Sequence, residues 1–166
     1  MGMMFDPGAM QLLGYGLYVL TTRDGDRDNG CIVNSVMQAA SAPPMIAVSL
    51  HHDSYTCKLV QKTGLCNICC LVEDTPYEVF QHFSNQSGKE LNKFADCEPK
   101  RSTNGLIVLP KYIGGFLSLA VAQELKLGSN NLFLCTPTEG RVLSDAKLLT
   151  YAYFQEHIMP KTRPQE

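Results

Sequence analysis

The sequence predicts a mostly β protein, an antiparallel barrel with a few helices set into its connections. Three observations carry this expectation. Runs rich in aromatic and β-branched residues outnumber helical patterns, and turn signals recur between them. The chain of 166 residues is 45% hydrophobic and 18% charged, enough apolar material for one globular core. Residues 1–158 are expected to form that single domain, with 159–166 a polar tail carrying two prolines.

Residues 14–22 (GYGLYVLTT) read as the first strand. DGDRDNG at 24–30 reads as a turn ending in Asn29-Gly30, and 31–38 (CIVNSVMQ) as the second strand of a hairpin. Pro43-Pro44 punctuates, and 45–50 (MIAVSL) is a strand whose near-continuous apolarity predicts burial on both faces. After the break at His51-His52-Asp53-Ser54, the spacing of Tyr55, Leu59 and Val60 predicts a helix over 55–62, capped by Ser54 and ended by Gly64. Residues 65–72 (LCNICCLV) read as a fourth strand. Pro76 marks the first turn of a second helix over 76–84, with Val79, Phe80 and Phe83 on one face. Residues 85–104 read as polar and irregular, followed by strands at 116–127, 131–136 and 141–148 and a short helix at 151–157.

The formal net charge of −2 argues against a general nucleic-acid binder, which needs a dense Lys/Arg footprint. No apolar run approaches the ~20 residues of a bilayer span. The first ten residues place Asp6 and Pro7 where a secretory signal would be apolar. Seven cysteines, an odd number, read as free thiols in a reducing cytoplasm.

Residue types alone single out few places for chemistry. Ser54 and Thr56 put hydroxyls at a helix N-terminus, where unpaired N–H groups and the positive dipole end favour an anion such as phosphate, although Ser54 serves equally as a plain cap. Cys66-x-x-Cys69-Cys70 invites a metal or redox reading. On a strand, however, neighbouring side chains point to opposite faces, so these thiols are not expected to converge. By the same alternation adjacent His51 and His52 are expected to diverge, and no metal site is predicted. No Gly-x-Gly-x-x-Gly follows a strand, so any nicotinamide nucleotide must dock without a domain of its own.

Six phrases, in order, carry a resemblance over nearly the whole chain: YGLYVLTT (15–22), NGCIVNSVMQ (29–38), APPMIAVSL (42–50), SYTCKLV (54–60), HFSNQSGKELNKF (82–94) and LTYAYF (149–154). Together they resemble the flavin reductase-like family with the FMN-binding split-barrel fold, an antiparallel Greek-key barrel, and look closest to its short members, some of which are fused to rubredoxin. The resemblance implies FMN as cofactor, a homodimer, and an NAD(P)H-dependent reductase in which hydride passes to flavin N5 and no side chain acts as nucleophile. It equally implies a second reading, a flavoredoxin-like carrier that holds FMN and exchanges electrons with a redox protein such as rubredoxin.

By resemblance, Asn29, Gly30, Cys31, Ile32, Val33, Asn34 and Ser35 form a wall against the isoalloxazine, although from the residues alone Asn29-Gly30 reads as a hairpin turn. Val48, Ser49, Leu50, His51 and His52 belong to a second wall. Ser54 and Thr56, with Ser87, Gly88, Lys89 and Lys93 of SGKELNKF, form the phosphate clamp; the lysines alone read as solvated surface. This chain departs from the family pattern at four places: His52 stands for a Lys, Cys57 for a His, Ser84-Asn85 for Gly-aromatic, and Asn130 for a His.

Overall fold

A computed structural model describes residues 4–84, 92–95 and 100–161. A short 3-10 turn, Pro7–Leu12, leads into β1 (Tyr18–Asp24), β2 (Arg27–Val33), β3 (Val36–Ser41) and β4 (Pro44–His51). Helix α1 (Tyr55–Thr63), β5 (Leu65–Leu71) and α2 (Tyr77–Ser84) follow. A ribbon of β6 (Lys100–Arg101) and β7 (Ile107–Val108) precedes the long hairpin of β8 (Ile113–Lys126) and β9 (Asn130–Val142). The chain closes on α3 (Tyr151–Tyr153), which widens into a π turn over Phe154–Ile158.

Seven strands make one antiparallel sheet in the order β2-β1-β5-β8-β9-β4-β3. Strands β2 and β3 are its two edges, so the sheet is split where they meet in sequence. That edge break corrects the single strand expected over 31–38. Asn34 and Ser35 interrupt it: the Ser35 hydroxyl donates to Asn34 Oδ1 at 3.1 Å and Val36 N–H folds back to the Asn34 carbonyl at 3.0 Å. The chain therefore leaves its pairing with β1 and starts a new one with β4.

The first hairpin turn is also displaced. Asp24 pairs with Arg27, so the loop is Gly25-Asp26, with Gly25 at φ 61°, where a side chain would be strained. Asn29-Gly30 lies inside β2, opposite Thr22 and Thr21. The strand expected over 141–148 is absent: Arg141 and Val142 finish β9, and 143–147 run irregularly before Leu148 makes a single bridge to Val72. Helix α1 follows its predicted limits, with the Ser54 hydroxyl accepting from Cys57 N–H at 3.1 Å and Gly64 ending it at φ 69°.

Alternation along the strands divides the interior in two. Leu20, Cys66, Ile68, Leu119, Phe133 and Cys135 are buried on one face, beneath Val60 of α1. Val19, Cys69, Leu71 and Phe116 are buried on the other, against Phe80 and Phe83 of α2, Ile107 and Val108 of β7, and Leu149. A period of two gives β1 and β5 buried residues for each side, Val19 and Leu20 in the first and Cys69 and Ile68 in the second.

Candidate functional site

Where α1 begins, β2, the β2–β3 break, the end of β4, α2 and α3 meet around a groove of about 440 Å³. Cys31, Ile32, Val33, Asn34 and Ser35 form one wall, and Ser49, Leu50, His51 and Ser54 the other. Leu17, Phe83, Ser84, Asn130 and Tyr151 complete it. The volume and the mixture of apolar floor with a few polar groups suit one organic ligand.

Beneath the groove lies a buried polar pair. Asn29, 1% exposed, donates from Nδ2 to the hydroxyl of Thr56, 4% exposed, at 2.9 Å. Asn29 Oδ1 is also buried and, among the described residues, meets no hydrogen-bond partner. The Tyr55 and Thr56 N–H groups at the α1 terminus lie ahead of the intrahelical ladder, so donors accumulate here at the positive end of the helix. Burial pushes the Cys31 thiol up, against the opposing effects of the Thr56 hydroxyl and the Lys93 ammonium, so Cys31 faces the groove as a neutral thiol.

Lys93 is buried, not solvated. Its Nζ donates to the Gly30 carbonyl at 2.7 Å and the Phe83 carbonyl at 2.9 Å, tying β2 to the end of α2. Gly30 permits that junction: a Cβ there would stand 3.1 Å from the Phe94 ring and 3.2 Å from the Leu20 carbonyl.

The residues named from sequence therefore fall into several places. Cys31 through Ser35, Ser49, Leu50, His51 and Ser54 line the groove, while Asn29, Gly30, Thr56 and Lys93 form its buried support. Val48 is 1% exposed within the core cluster of Phe133 and Leu20 and does not line the groove, although Leu50 of the same strand face does. His52 is exposed beside the groove. Ser87, Gly88 and Lys89 lie outside the described residues. Sequence reasoning did not assign Leu17, Phe83, Ser84, Asn130 or Tyr151 to the site, although Leu17, Phe83, Ser84 and Tyr151 lie in the phrases that carry the resemblance and Ser84 and Asn130 are two of the departures from the family pattern. Asn130 is held by a bond from its Nδ2 to the Ser49 hydroxyl at 3.0 Å.

The cysteine run behaves as strand geometry demands. Cys66 and Cys69 are buried on opposite sides of the sheet. A hydrogen bond to Cys135 and burial hold the Cys66 thiol well above its ordinary range, and burial pushes Cys69 up to about 12. A larger groove, about 590 Å³, opens near β6 and β7 between Lys100, Arg101, Lys111 and Arg141. Its arginines are already engaged, Arg101 with Asp28 at 2.7 Å and Arg141 with Glu139 at 3.1 Å. The smaller groove is the better candidate because it opens at the α1 N-terminus and is lined by Cys31 through Ser35, Ser49, Leu50, His51 and Ser54.

Fold and groove together define a split-barrel protein with a ligand cleft at a helix N-terminus. The chain belongs to the flavin reductase-like domain family, whose model matches residues 10–161. It is 35% identical to the high molecular weight rubredoxin of Moorella thermoacetica over 96% of this chain and 71% of that protein. It is 31% identical to the ferric-chelate reductase (NAD(P)H) of Archaeoglobus fulgidus over 94% of this chain and 91% of that one. Among solved structures, an FMN-binding protein from Thermus thermophilus superposes with a TM-score of 0.78 at 18% identity, covering 91% of this chain and 89% of its own. The flavin reductase PheA2 superposes at 0.74 with 21% identity over 88% and 93% of the two chains. These likenesses confirm the mostly β split-barrel architecture.

Proposed function

We propose that this protein binds FMN in the 440 Å³ groove and serves as an NAD(P)H-dependent flavin oxidoreductase. The observation that carries the reading is the buried Asn29–Thr56 pair, whose Oδ1 meets no partner among the described residues, under a groove at the α1 N-terminus of a flavin reductase-like chain. The residues present fit a flavin: Ile32, Val33 and Leu50 offer an apolar floor for a flat ring, Asn34, Ser35 and Ser49 offer polar edges, and Ser54 with the α1 N–H groups suits an anionic phosphate. A bound flavin would supply the hydride-accepting N5 position. The protein's part is to hold the ring, orient it and keep one face reachable. Burial keeps the Cys31 thiol protonated, so it acts as a neutral contact.

The test is direct. Purified protein loaded with FMN or FAD and mixed anaerobically with NADH or NADPH is expected to bleach in flavin absorbance, with FMN held more tightly than FAD. A protein that takes up neither flavin overturns the reading.

A second reading has its own support in the 35% identity to a high molecular weight rubredoxin. In it FMN is a resident electron carrier serving a rubredoxin-type partner in the cytoplasm. Ready reduction by such a protein, with no bleaching by either nucleotide, selects it. In both readings the chain acts as a homodimer, which the exposed Phe5, Met10, Leu12 and Leu13 of the N-terminal segment support.

A further inference from the structure

Strand alternation predicts that His51 and His52 point apart, and the structure shows the opposite. The chain turns sharply as β4 ends. Ser54 N–H donates to the His51 carbonyl at 3.0 Å, and His52 N–H donates to the Ser129 carbonyl at 3.0 Å. The turn is thus pinned to the start of α1 on one side and to the β8–β9 connection on the other. Within it the two imidazoles stack, with ring centroids 5.0 Å apart and planes 16° from parallel.

Asp53 contacts both. His52 Nδ1 stands 3.0 Å from Asp53 Oδ1, and His51 Nδ1 accepts from Asp53 N–H at 3.2 Å. One ligand atom from each of the three side chains lies within 4.8 Å of the other two. Ligands held about 2.1 Å from a single ion stand about 3.0–3.5 Å apart, so the His52–Asp53 separation already matches a shared metal. The long bond at His51 Nδ1 is one that a metal ion can replace. Among the described residues Asp53 pairs with no Lys or Arg, so its charge is available to a cation.

We propose that His51, His52 and Asp53 form a surface site for one divalent transition-metal ion at the rim of the groove. Two imidazole nitrogens and one carboxylate select a borderline ion of the Co²⁺, Ni²⁺ or Zn²⁺ kind over the oxygen-seeking Ca²⁺ and Mg²⁺. All three residues are exposed, so the remaining coordination positions open to water, and His51, which also lines the groove, places the ion beside the groove mouth. The site is built by the turn and does not depend on flavin.

The test uses the full chain, reduced and stripped of metal and flavin, titrated with Co²⁺ and followed by calorimetry and absorbance. One ion per chain is expected, with weak visible bands and no intense near-ultraviolet sulfur-to-metal charge transfer. The His51→Ala/His52→Ala double variant is expected to lose at least tenfold in affinity, and Asp53→Asn severalfold. His157→Ala, at an exposed histidine elsewhere, should bind as the parent does. Circular dichroism establishes that each variant is folded. Absence of binding, an intense thiolate band, or parental affinity in the folded double variant overturns the site. Because the titration contains no flavin, its outcome is separate from that of the flavin-binding test.

Discussion

Lys93 Nζ donates to the Gly30 carbonyl at 2.7 Å, joining a lysine that the sequence suggested as solvated to a glycine that the sequence suggested as part of a turn. The bond fastens the floor of the groove to α2, because the same ammonium also reaches the Phe83 carbonyl at 2.9 Å.

Burial lowers the Lys93 ammonium below its ordinary range. The folded chain then holds that proton more weakly than the unfolded chain, whose lysine titrates near ~10.4. Stability contributed by this residue therefore rises with pH between the lowered folded value and that ordinary value, and the full cost of burying the charge is present below the interval. Lys93→Met is expected to abolish this alkaline rise. Near neutral pH it should cost about 1–3 kcal/mol, since two carbonyls lose their donor. Urea unfolding of parent and variant at neutral and alkaline pH checks both. The variant should also weaken FMN and riboflavin alike, because the lysine supports the groove floor.

Thr56→Val keeps the shape and removes the acceptor of Asn29 Nδ2, on a side chain whose Oδ1 already meets no partner among the described residues. The expected destabilisation is about 1–3 kcal/mol. Flavin affinity should fall as well, and Thr56→Ser should restore most of both. Thermal unfolding and fluorescence titration with FMN measure the two effects.

Gly30→Ala is expected to destabilise by about 1–3 kcal/mol, although the φ at this position is not in the left-handed region. The added Cβ meets the Leu20 carbonyl at 3.2 Å, which is backbone and cannot turn aside, and the Phe94 and Phe83 rings at 3.1 and 3.3 Å. A smaller loss in the Gly30→Ala/Phe94→Leu double variant would identify the ring contact as the larger part.

Cys69, pushed up to about 12 by burial, is expected to resist alkylation by iodoacetamide at mildly alkaline pH while the protein is folded, and Cys66 likewise. Peptide mapping before and after denaturation reads this out. Replacing Cys66, Cys69 and Cys70 together by Ala should leave flavin content unchanged and lower the melting temperature through the cavities created.

Local rules made several features legible in the sequence. The Ser54 cap and the Gly64 stop set α1 at its observed limits, because cap chemistry acts within one turn. Alternation placed Cys66 and Cys69 on opposite sides of the sheet, and the mostly β architecture followed from the succession of apolar runs. The first hairpin loop was misplaced because Gly25-Asp26 and Asn29-Gly30 carry equivalent turn chemistry, and only the ladder with β1 chooses between them.

What the sequence by itself determined was the mostly β class, the first helix and the family, since these rest on periodicity, caps and phrases that act over a few residues. Tertiary structure decided the rest. Leu17, Phe83 and Tyr151 are distant in sequence and become neighbours only when α2 and α3 pack beside β2. Lys93 becomes a buried support because Gly30 and Phe83 present their carbonyls to it, and His51 and His52 stack because hydrogen bonds to Ser54 and Ser129 turn the chain between them. Each of these outcomes depends on partners brought from elsewhere in the chain, and a local pattern holds no record of which partner will arrive.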